Sequence, residues 1–233
     1  MCNYKFFKVK REYMNKKEII KKEIVTYAKI LDSKGLVNSA EGNLSILDRE
    51  SGELFITPTS TRKAFLDESK IAVMKGDNQT EGSIRHSSEY LLHVAALEAR
   101  PDCNAVAHIH APFLTAYAYC GKDIELKCST TFALLFEKIP CLPYGEAGTI
   151  HIADGITEIM KNNNLVLLGN HGVVSVGRNL EEAIMHVEAA EEVLKIYELT
   201  KSIGPVKDIP KAMLDALLEH HPASKRNYFK NLK

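Results

Sequence analysis

Two histidines, His108 and His110, stand one residue apart in the apolar run Ala-Val-Ala-His-Ile-His. Because successive side chains of a strand alternate between its faces, residues two apart point the same way, and both imidazoles would converge at the end of this strand. Neutral imidazole is the commonest metal ligand in proteins. A second apolar run, 165–169, leads to His171 in an Asn-His-Gly sequence. Three histidines at the ends of two strands predict a metal site with an open position, and hence a catalytic one.

These histidines also have a purely structural interpretation. Two core imidazoles can be hydrogen-bonded without a metal, although every ring nitrogen then needs a partner. The Asn-His-Gly sequence around His171 is also favourable turn chemistry. The remaining histidines are expected to be surface or structural residues: His86, His93, His151, His186, His220 and His221.

Glu89 follows Ser87 and Ser88, either of which could cap a helix that extends to about Glu98. One interpretation is a capping glutamate in the first helical turn, stabilised by the helix dipole. The other is a carboxylate that faces the three histidines, as a fourth ligand or as a proton carrier. Its position in the sequence leaves both interpretations open.

Small polar residues beside apolar segments form the third group of candidates. Backbone amides and hydroxyls at such places, together with a helix N-terminus, can hold a phosphate without lysine or arginine. Each pair alone is also ordinary turn or cap chemistry, so a phosphate site requires all three to converge. The pairs are Gly42-Asn43, Thr59-Ser60 and Ser87-Ser88.

Helical and strand patterns follow one another along the chain, and these elements must position the candidate residues. Helices are predicted at about 16–34, 89–98, 112–119, 152–162 and 180–201, and strands at about 44–47, 54–56, 105–110, 138–142, 165–169 and 173–176. Asn15 is expected to cap the first helix. Strands with helices on both sides predict a single α/β domain with three layers, α/β/α. Residues 1–14 are interpreted as an N-terminal extension, and 15–233 as the domain with its C-terminal tail.

Composition excludes several other classes of protein. The 233 residues carry 30 basic and 30 acidic side chains, a balance that does not indicate nucleic-acid or membrane-surface binding. No apolar stretch approaches the roughly 20 residues of a membrane span, and the basic N-terminus lacks the apolar core of a secretory signal. The cysteines are five, an odd number, and lack CxxC spacing, which favours a reduced cytoplasmic compartment.

The ordered set of motifs resembles the class II aldolase/adducin family from about residue 20 to 200, and within it is most similar to the L-fuculose-1-phosphate aldolases. The separations are also similar: 19 residues from Glu89 to His108 and 61 from His110 to His171. The resemblance implies a three-layer domain with a central, mainly antiparallel sheet, and a cytoplasmic homotetramer with sites between subunits. The motifs are Gly42-Asn43-Leu44-Ser45, Ile56-Thr57-Pro58-Thr59, Ser87-Ser88-Glu89, His108-Ile109-His110 and Asn170-His171-Gly172.

Specific roles follow from this resemblance. It implies a divalent metal, most often zinc, with manganese or cobalt as alternatives, held by His108, His110 and His171. Glu89 would be a fourth ligand in the empty enzyme and would carry a proton once substrate displaces it. The substrate phosphate would be held by Gly42, Asn43, Thr59, Ser60, Ser87 and Ser88.

The implied reaction is the reversible cleavage of a ketose 1-phosphate to dihydroxyacetone phosphate and a small aldehyde, with the metal as Lewis acid. L-Fuculose 1-phosphate and a 5-deoxypentulose 1-phosphate are the expected substrates. Three alternatives stay open: dehydration of methylthioribulose 1-phosphate, 4-epimerisation of ribulose 5-phosphate, and a non-catalytic adducin-like scaffold. Glu89 favours the aldolases, because the family's epimerases typically carry aspartate there. The scaffold branch loses metal ligands that this chain retains.

Two positions differ from the family pattern in the half of the site that would face the aldehyde. Ser129 stands where related enzymes place a tyrosine contributed by the neighbouring subunit, and Ala147 stands where a phenylalanine lines the pocket. Tyr228 in the tail matches a mobile, catalytically useful tyrosine of the family. We therefore predict that Tyr228 is catalytic together with Glu89, and that the aldehyde specificity is altered.

Overall fold

An eight-stranded sheet forms the middle of the computed structural model, which describes residues 15–232. Its strands are β1 (Asn43–Asp48), β2 (Glu53–Ile56), β3 (Ala72–Lys75), β4 (Asn78–Glu81), β5 (Ala105–Ile109), β6 (Cys141–Leu142), β7 (Leu165–Leu168) and β8 (Gly172–Gly177). The helices are α1 (Lys16–Ser33), α2 (Tyr90–Ala99), α3 (Pro112–Tyr119), α4 (Thr130–Leu135), α5 (Ile156–Ile159), α6 (Leu180–Thr200), α7 (Lys211–His220) and α8 (Lys225–Lys230). No helix in this range has the length and apolar character needed to cross a membrane. The extension predicted at 1–14 lies outside the described residues.

The strand order is β4-β3-β2-β1-β5-β8-β7-β6, and only β6 and β7 pair in parallel. Helices cover both faces, because neighbouring strand residues point to opposite sides. Val173 packs in a core with residues of α1, α3 and α6, whereas Val174 packs in a second core with residues of α2 and α5. The predicted three-layer α/β domain with a mainly antiparallel sheet is therefore confirmed.

Local signals place several elements correctly. Asn15 caps α1 through a reciprocal capping box with Glu18, and the side chain of Asn179 accepts a hydrogen bond from the amide of Glu182 at the start of α6. The helix predicted at 152–162 is wrong as a continuous element. It consists of two 3₁₀ turns around the short α5, because Gly155 interrupts it with φ +80°.

Five elements were not predicted from the sequence. β4 is a polar edge strand and β3 is only four residues long, so neither shows a clear alternating pattern. The helices α4 and α8 are each only six residues long, too short to show a clear helical period, and the ten-residue α7 was also not predicted. None of these elements carries a metal-binding candidate.

Candidate active site

Three imidazoles converge where β5 meets β8. These strands pair antiparallel with His108 opposite Val174, which brings the end of β5 beside the turn that precedes β8. The Nε2 atom of His108 lies 3.2 Å from Nε2 of His110 and 3.3 Å from Nε2 of His171. A tetrahedral zinc ion with Zn–N bonds of about 2.0–2.1 Å places its ligand nitrogens roughly 3.3 Å apart. The donor set therefore fits a divalent cation in both chemistry and spacing.

Hydrogen bonding and burial keep these rings in a form that binds metal. His108 Nδ1 lies 2.8 Å from the carbonyl oxygen of Val173, and a proton donated there leaves the Nε2 lone pair free for the cluster. Burial lowers the pKa of His110 to about 3 and also lowers the pKa of His171. Neutral imidazole is the form that coordinates a metal ion.

Two glycines allow the backbone to come this close. A Cβ at Gly172 would lie 2.8 Å from the carbonyl oxygen of Ile109 and 2.9 Å from His110 Cδ2. Gly42 has φ +72°, and a Cβ there would lie 3.1 Å from the carbonyl oxygen of His108. Larger residues at either position would displace the strand ends that carry the histidines.

Glu89 supplies a fourth donor group. It occupies the N-cap position of α2, yet its side chain makes no capping hydrogen bond. Its Oε2 lies 3.3 Å from His108 Nε2, and its Oε1 lies 3.3 Å from His171 Nε2. Ser87 Oγ instead accepts a hydrogen bond from the Glu89 amide at 3.2 Å. Glu89 therefore stands at the start of the helix as the first interpretation had it but does not cap it through its side chain, and its carboxylate faces the histidines as the second had it.

A buried hydrogen-bond chain orients this carboxylate. Asn43 Nδ2 donates to Glu89 Oε2 at 2.8 Å, and Asn43 Oδ1 contacts His93 Nε2. His93 Nδ1 lies 2.7 Å from Ser45 Oγ. Burial lowers the pKa of His93 to about 3, so the ring is neutral and can donate to Asn43 while it accepts from Ser45. Burial alone would raise the pKa of Glu89, but its contacts with His108 and Asn43 hold it below the usual range.

The three candidate phosphate segments lie next to one another, because hydrogen bonds from backbone amides join them. The amide of Leu44 donates to the Thr57 hydroxyl at 3.1 Å. The amide of Thr59 donates to the carbonyl of Arg85 at 2.9 Å, and that of Ser87 donates to the carbonyl of Thr57 at 3.2 Å. These bonds bring together Gly42-Asn43, Thr59-Ser60 and Ser87-Ser88. Their binding of a phosphate stays a prediction, and the Asn43 side chain is engaged with Glu89 and His93.

The aldehyde-side candidates are more scattered. Ser129 caps α4, where its Oγ accepts from the amide of Phe132 at 3.2 Å. Ala147 belongs to a loop beside the phosphate segments, since a Cβ on the adjacent Gly148 would lie 3.8 Å from Ser88 Cβ. No contact in the described residues links Ser129 to the three histidines.

Tyr228 is not brought to the histidines within one chain. Its hydroxyl donates to Asp102 Oδ2 at 2.8 Å and accepts from Arg100 Nη2 at 3.1 Å. Arg100 follows the C-terminal end of α2, and this ten-residue helix separates it from Glu89 by roughly 15 Å. The catalytic role of Tyr228 therefore stays a prediction that requires a rearranged tail or a neighbouring subunit.

Tyr228→Phe should lower the free energy of unfolding by about 1–2 kcal/mol, because buried Arg100 and half-buried Asp102 each lose a hydrogen-bond partner. Thermal or denaturant unfolding measures this effect. If Tyr228 is also catalytic, turnover falls with unchanged metal content in this variant and in a chain truncated after Lys225. Unchanged turnover in both proteins would assign the tyrosine to tail anchoring alone.

The chain has a three-layer α/β fold in which three imidazoles and a carboxylate converge where two strands end. This arrangement defines a candidate metal-dependent enzyme. The chain belongs to the family of the Class II Aldolase and Adducin N-terminal domain, which it matches over residues 22–198. Class II aldolases depend on a divalent metal, and the histidine cluster fits that requirement.

Individual relatives match most of the chain. It is 32% identical to the 5-deoxy-D-ribulose 1-phosphate aldolase of Bacillus thuringiensis serovar kurstaki, over 84% of this chain and 92% of the relative. It is 32% identical to the L-fuculose phosphate aldolase of Escherichia coli K12, over 79% of this chain and 86% of the relative. The solved structure of an L-fuculose 1-phosphate aldolase superposes with a TM-score of 0.77 at 30% identity, covering 85% of this chain and 93% of that one.

Two residues of this region were missed at the level of sequence. His93 was assigned a structural role, although its position four residues after Glu89 puts both on one helix face and could have indicated a link. Lys63 donates to the backbone carbonyls of Ala40 and Thr61, beside two of the phosphate segments, and no sequence signal indicates this because it depends on the path of a loop.

Proposed function

We propose that this protein is a divalent-metal-dependent class II aldolase that reversibly cleaves a ketose 1-phosphate to dihydroxyacetone phosphate and a small aldehyde. The convergence of His108, His110 and His171 with the Glu89 carboxylate carries the proposal. The aldolase relatives support it, because they match nearly the whole domain. Zinc is the proposed cation, with manganese or cobalt as alternatives.

Each group has a distinct task in this reaction. A divalent cation held by the three histidines supplies Lewis-acid chemistry at the substrate carbonyl. The Glu89 carboxylate lies 3.3 Å from the Nε2 atoms of two of these histidines, so it can move a proton on or off C3 of dihydroxyacetone phosphate. Asn43 fixes the carboxylate by donating to one oxygen and leaves the other available. The segments around Thr59 and Ser87 would hold the phosphate through hydroxyls and backbone amides.

The proposed substrates are L-fuculose 1-phosphate and a 5-deoxypentulose 1-phosphate. The relatives are named for these two classes of sugar phosphate, and the small side chains of Ser129 and Ala147 set the aldehyde half apart. We further propose a cytoplasmic homotetramer with sites between subunits. The dehydratase and epimerase alternatives would use the same metal ligands, whereas a non-catalytic scaffold would not require them.

Release of dihydroxyacetone phosphate tests this function. The metal-loaded protein is incubated with a panel of ketose 1-phosphates, and the product is measured through a coupled reductase that oxidises reduced nicotinamide cofactor. We expect product with at least one 5-deoxypentulose or 6-deoxyhexulose 1-phosphate, and its loss after chelation of the metal. Metal-loaded protein that releases none from the whole panel would exclude the aldolase. Assays with methylthioribulose 1-phosphate and ribulose 5-phosphate would then separate the dehydratase from the epimerase.

A further inference from the structure

Lys63 is a buried lysine that joins two of the candidate phosphate segments. The residue is only 2% exposed and begins the 3₁₀ turn Lys63–Phe65. Its Nζ donates to the carbonyl of Ala40 at 3.1 Å and to the carbonyl of Thr61 at 3.1 Å. Ala40 stands two residues before Gly42, and Thr61 directly follows Ser60. One ammonium group thus lies between the backbones of both segments.

The charge of this group has no direct partner. Within residues 15–232, no carboxylate forms a salt bridge with Lys63, and only Asp32 and Glu89 attract it at longer range. Burial lowers its pKa to about 8. A buried ammonium without a paired carboxylate is unfavourable, and two carbonyl contacts leave one of its three N–H donors for another acceptor. A neutral donor could make the same two hydrogen bonds to the two segments. The positive charge of Lys63 therefore indicates that an anion binds beside it.

We propose that Lys63 is the cationic element of the phosphate subsite, where its charge favours the dianionic phosphate of the substrate. This inference rests on the proposed function in assigning a phosphate to the two segments. It adds a positive charge to a site that the sequence indicated would bind phosphate through amides and hydroxyls alone. Charge-assisted hydrogen bonds to phosphate are stronger than neutral ones, which gives the lysine a purpose beyond joining the loops.

The test compares inorganic phosphate binding by the metal-loaded wild type, Lys63→Met and Lys63→Gln, measured by isothermal titration calorimetry. Methionine removes charge and donor, whereas glutamine keeps an N–H donor and removes only the charge. We expect phosphate affinity to fall about tenfold or more in both, the size of a lost charge-assisted contact. Lys75→Met is the matched control, because Lys75 is exposed on β3 and its replacement removes the same net charge. Its affinity should stay within about twofold of the wild type.

Thermal unfolding without phosphate separates binding from folding. It shows whether each Lys63 variant is folded at the temperature of the titration, because Lys63→Met removes a buried charge but also leaves the Ala40 and Thr61 carbonyls without this donor. Wild-type affinity in either Lys63 variant, or no phosphate binding by the wild type, would overturn the proposal. Dihydroxyacetone phosphate release is measured separately. If the wild type releases no dihydroxyacetone phosphate but the Lys63 variants still lose phosphate affinity, the aldolase reaction is refuted and the phosphate subsite stands.

Discussion

His110→Ala should lose the bound metal and the aldolase activity together. The imidazole of His110 is one of three that face a common point, and its Nε2 lies 3.2 Å from that of His108. Alanine leaves two imidazoles and one carboxylate, too few donors to close a tetrahedral site around a tightly held cation. Loss of an outer-shell partner already costs about 10–100-fold in metal affinity or activity, so removal of a direct ligand should cost on the order of 100-fold or more.

The measurement is metal content per chain by elemental analysis, with dihydroxyacetone phosphate release on the same sample. His151→Ala is the matched control, because this histidine is exposed and, within the described residues, its imidazole hydrogen-bonds only Asp154. It should keep both metal and activity. Circular dichroism would establish that both variants are folded. Full metal occupancy in His110→Ala would show that the three histidines are not the binding site.

The histidine cluster was largely predictable because strand geometry is local. Alternation along a strand places His108 and His110 on one side from their spacing alone. Their approach to His171 depends on the pairing of β5 with β8, which connects residues more than sixty positions apart in the chain. The resemblance to a family implied that His171 shares a metal with the other two histidines, but no periodicity in the sequence contains the strand pairing that brings them together.

Features that depend on burial were harder to infer. The Glu89 carboxylate could cap a helix or face the histidines, and only the tertiary structure decides between them. His93 becomes informative once Asn43, fifty positions away, is seen to lie between it and Glu89. Tyr228 was matched by its place in the tail, but its hydroxyl is occupied by Arg100 and Asp102. A chemical group can be read from sequence, whereas its partners are set by packing.

Glu89→Gln should keep most of the bound metal and lose turnover. Glutamine preserves the shape of the side chain and leaves the three histidines in place, but its neutral amide cannot accept and return a proton. Its carbonyl oxygen can still accept the hydrogen bond from Asn43, so the buried chain that reaches Ser45 stays intact. General acid–base catalysis by a positioned group is typically worth about 10²–10⁴-fold, and we expect kcat to fall by that factor. Initial rates and elemental analysis on one preparation measure both effects.

Glu41→Gln is the control that isolates the position of the carboxylate. Glu41 Oε2 lies 3.5 Å from His110 Nδ1, so it borders the same cluster, but its side chain is 54% exposed. A carboxylate beside the outer ring nitrogen of a metal-binding histidine can tune metal affinity, so kcat is compared per bound metal. On that basis it should change by less than about threefold, because the Glu41 carboxylate is largely solvated. If Glu41→Gln were the inactive variant and Glu89→Gln remained active, the proton carrier would be Glu41. If Glu89→Gln lost its metal along with its activity, Glu89 would act as a structural ligand, and the proton would have to move through another group.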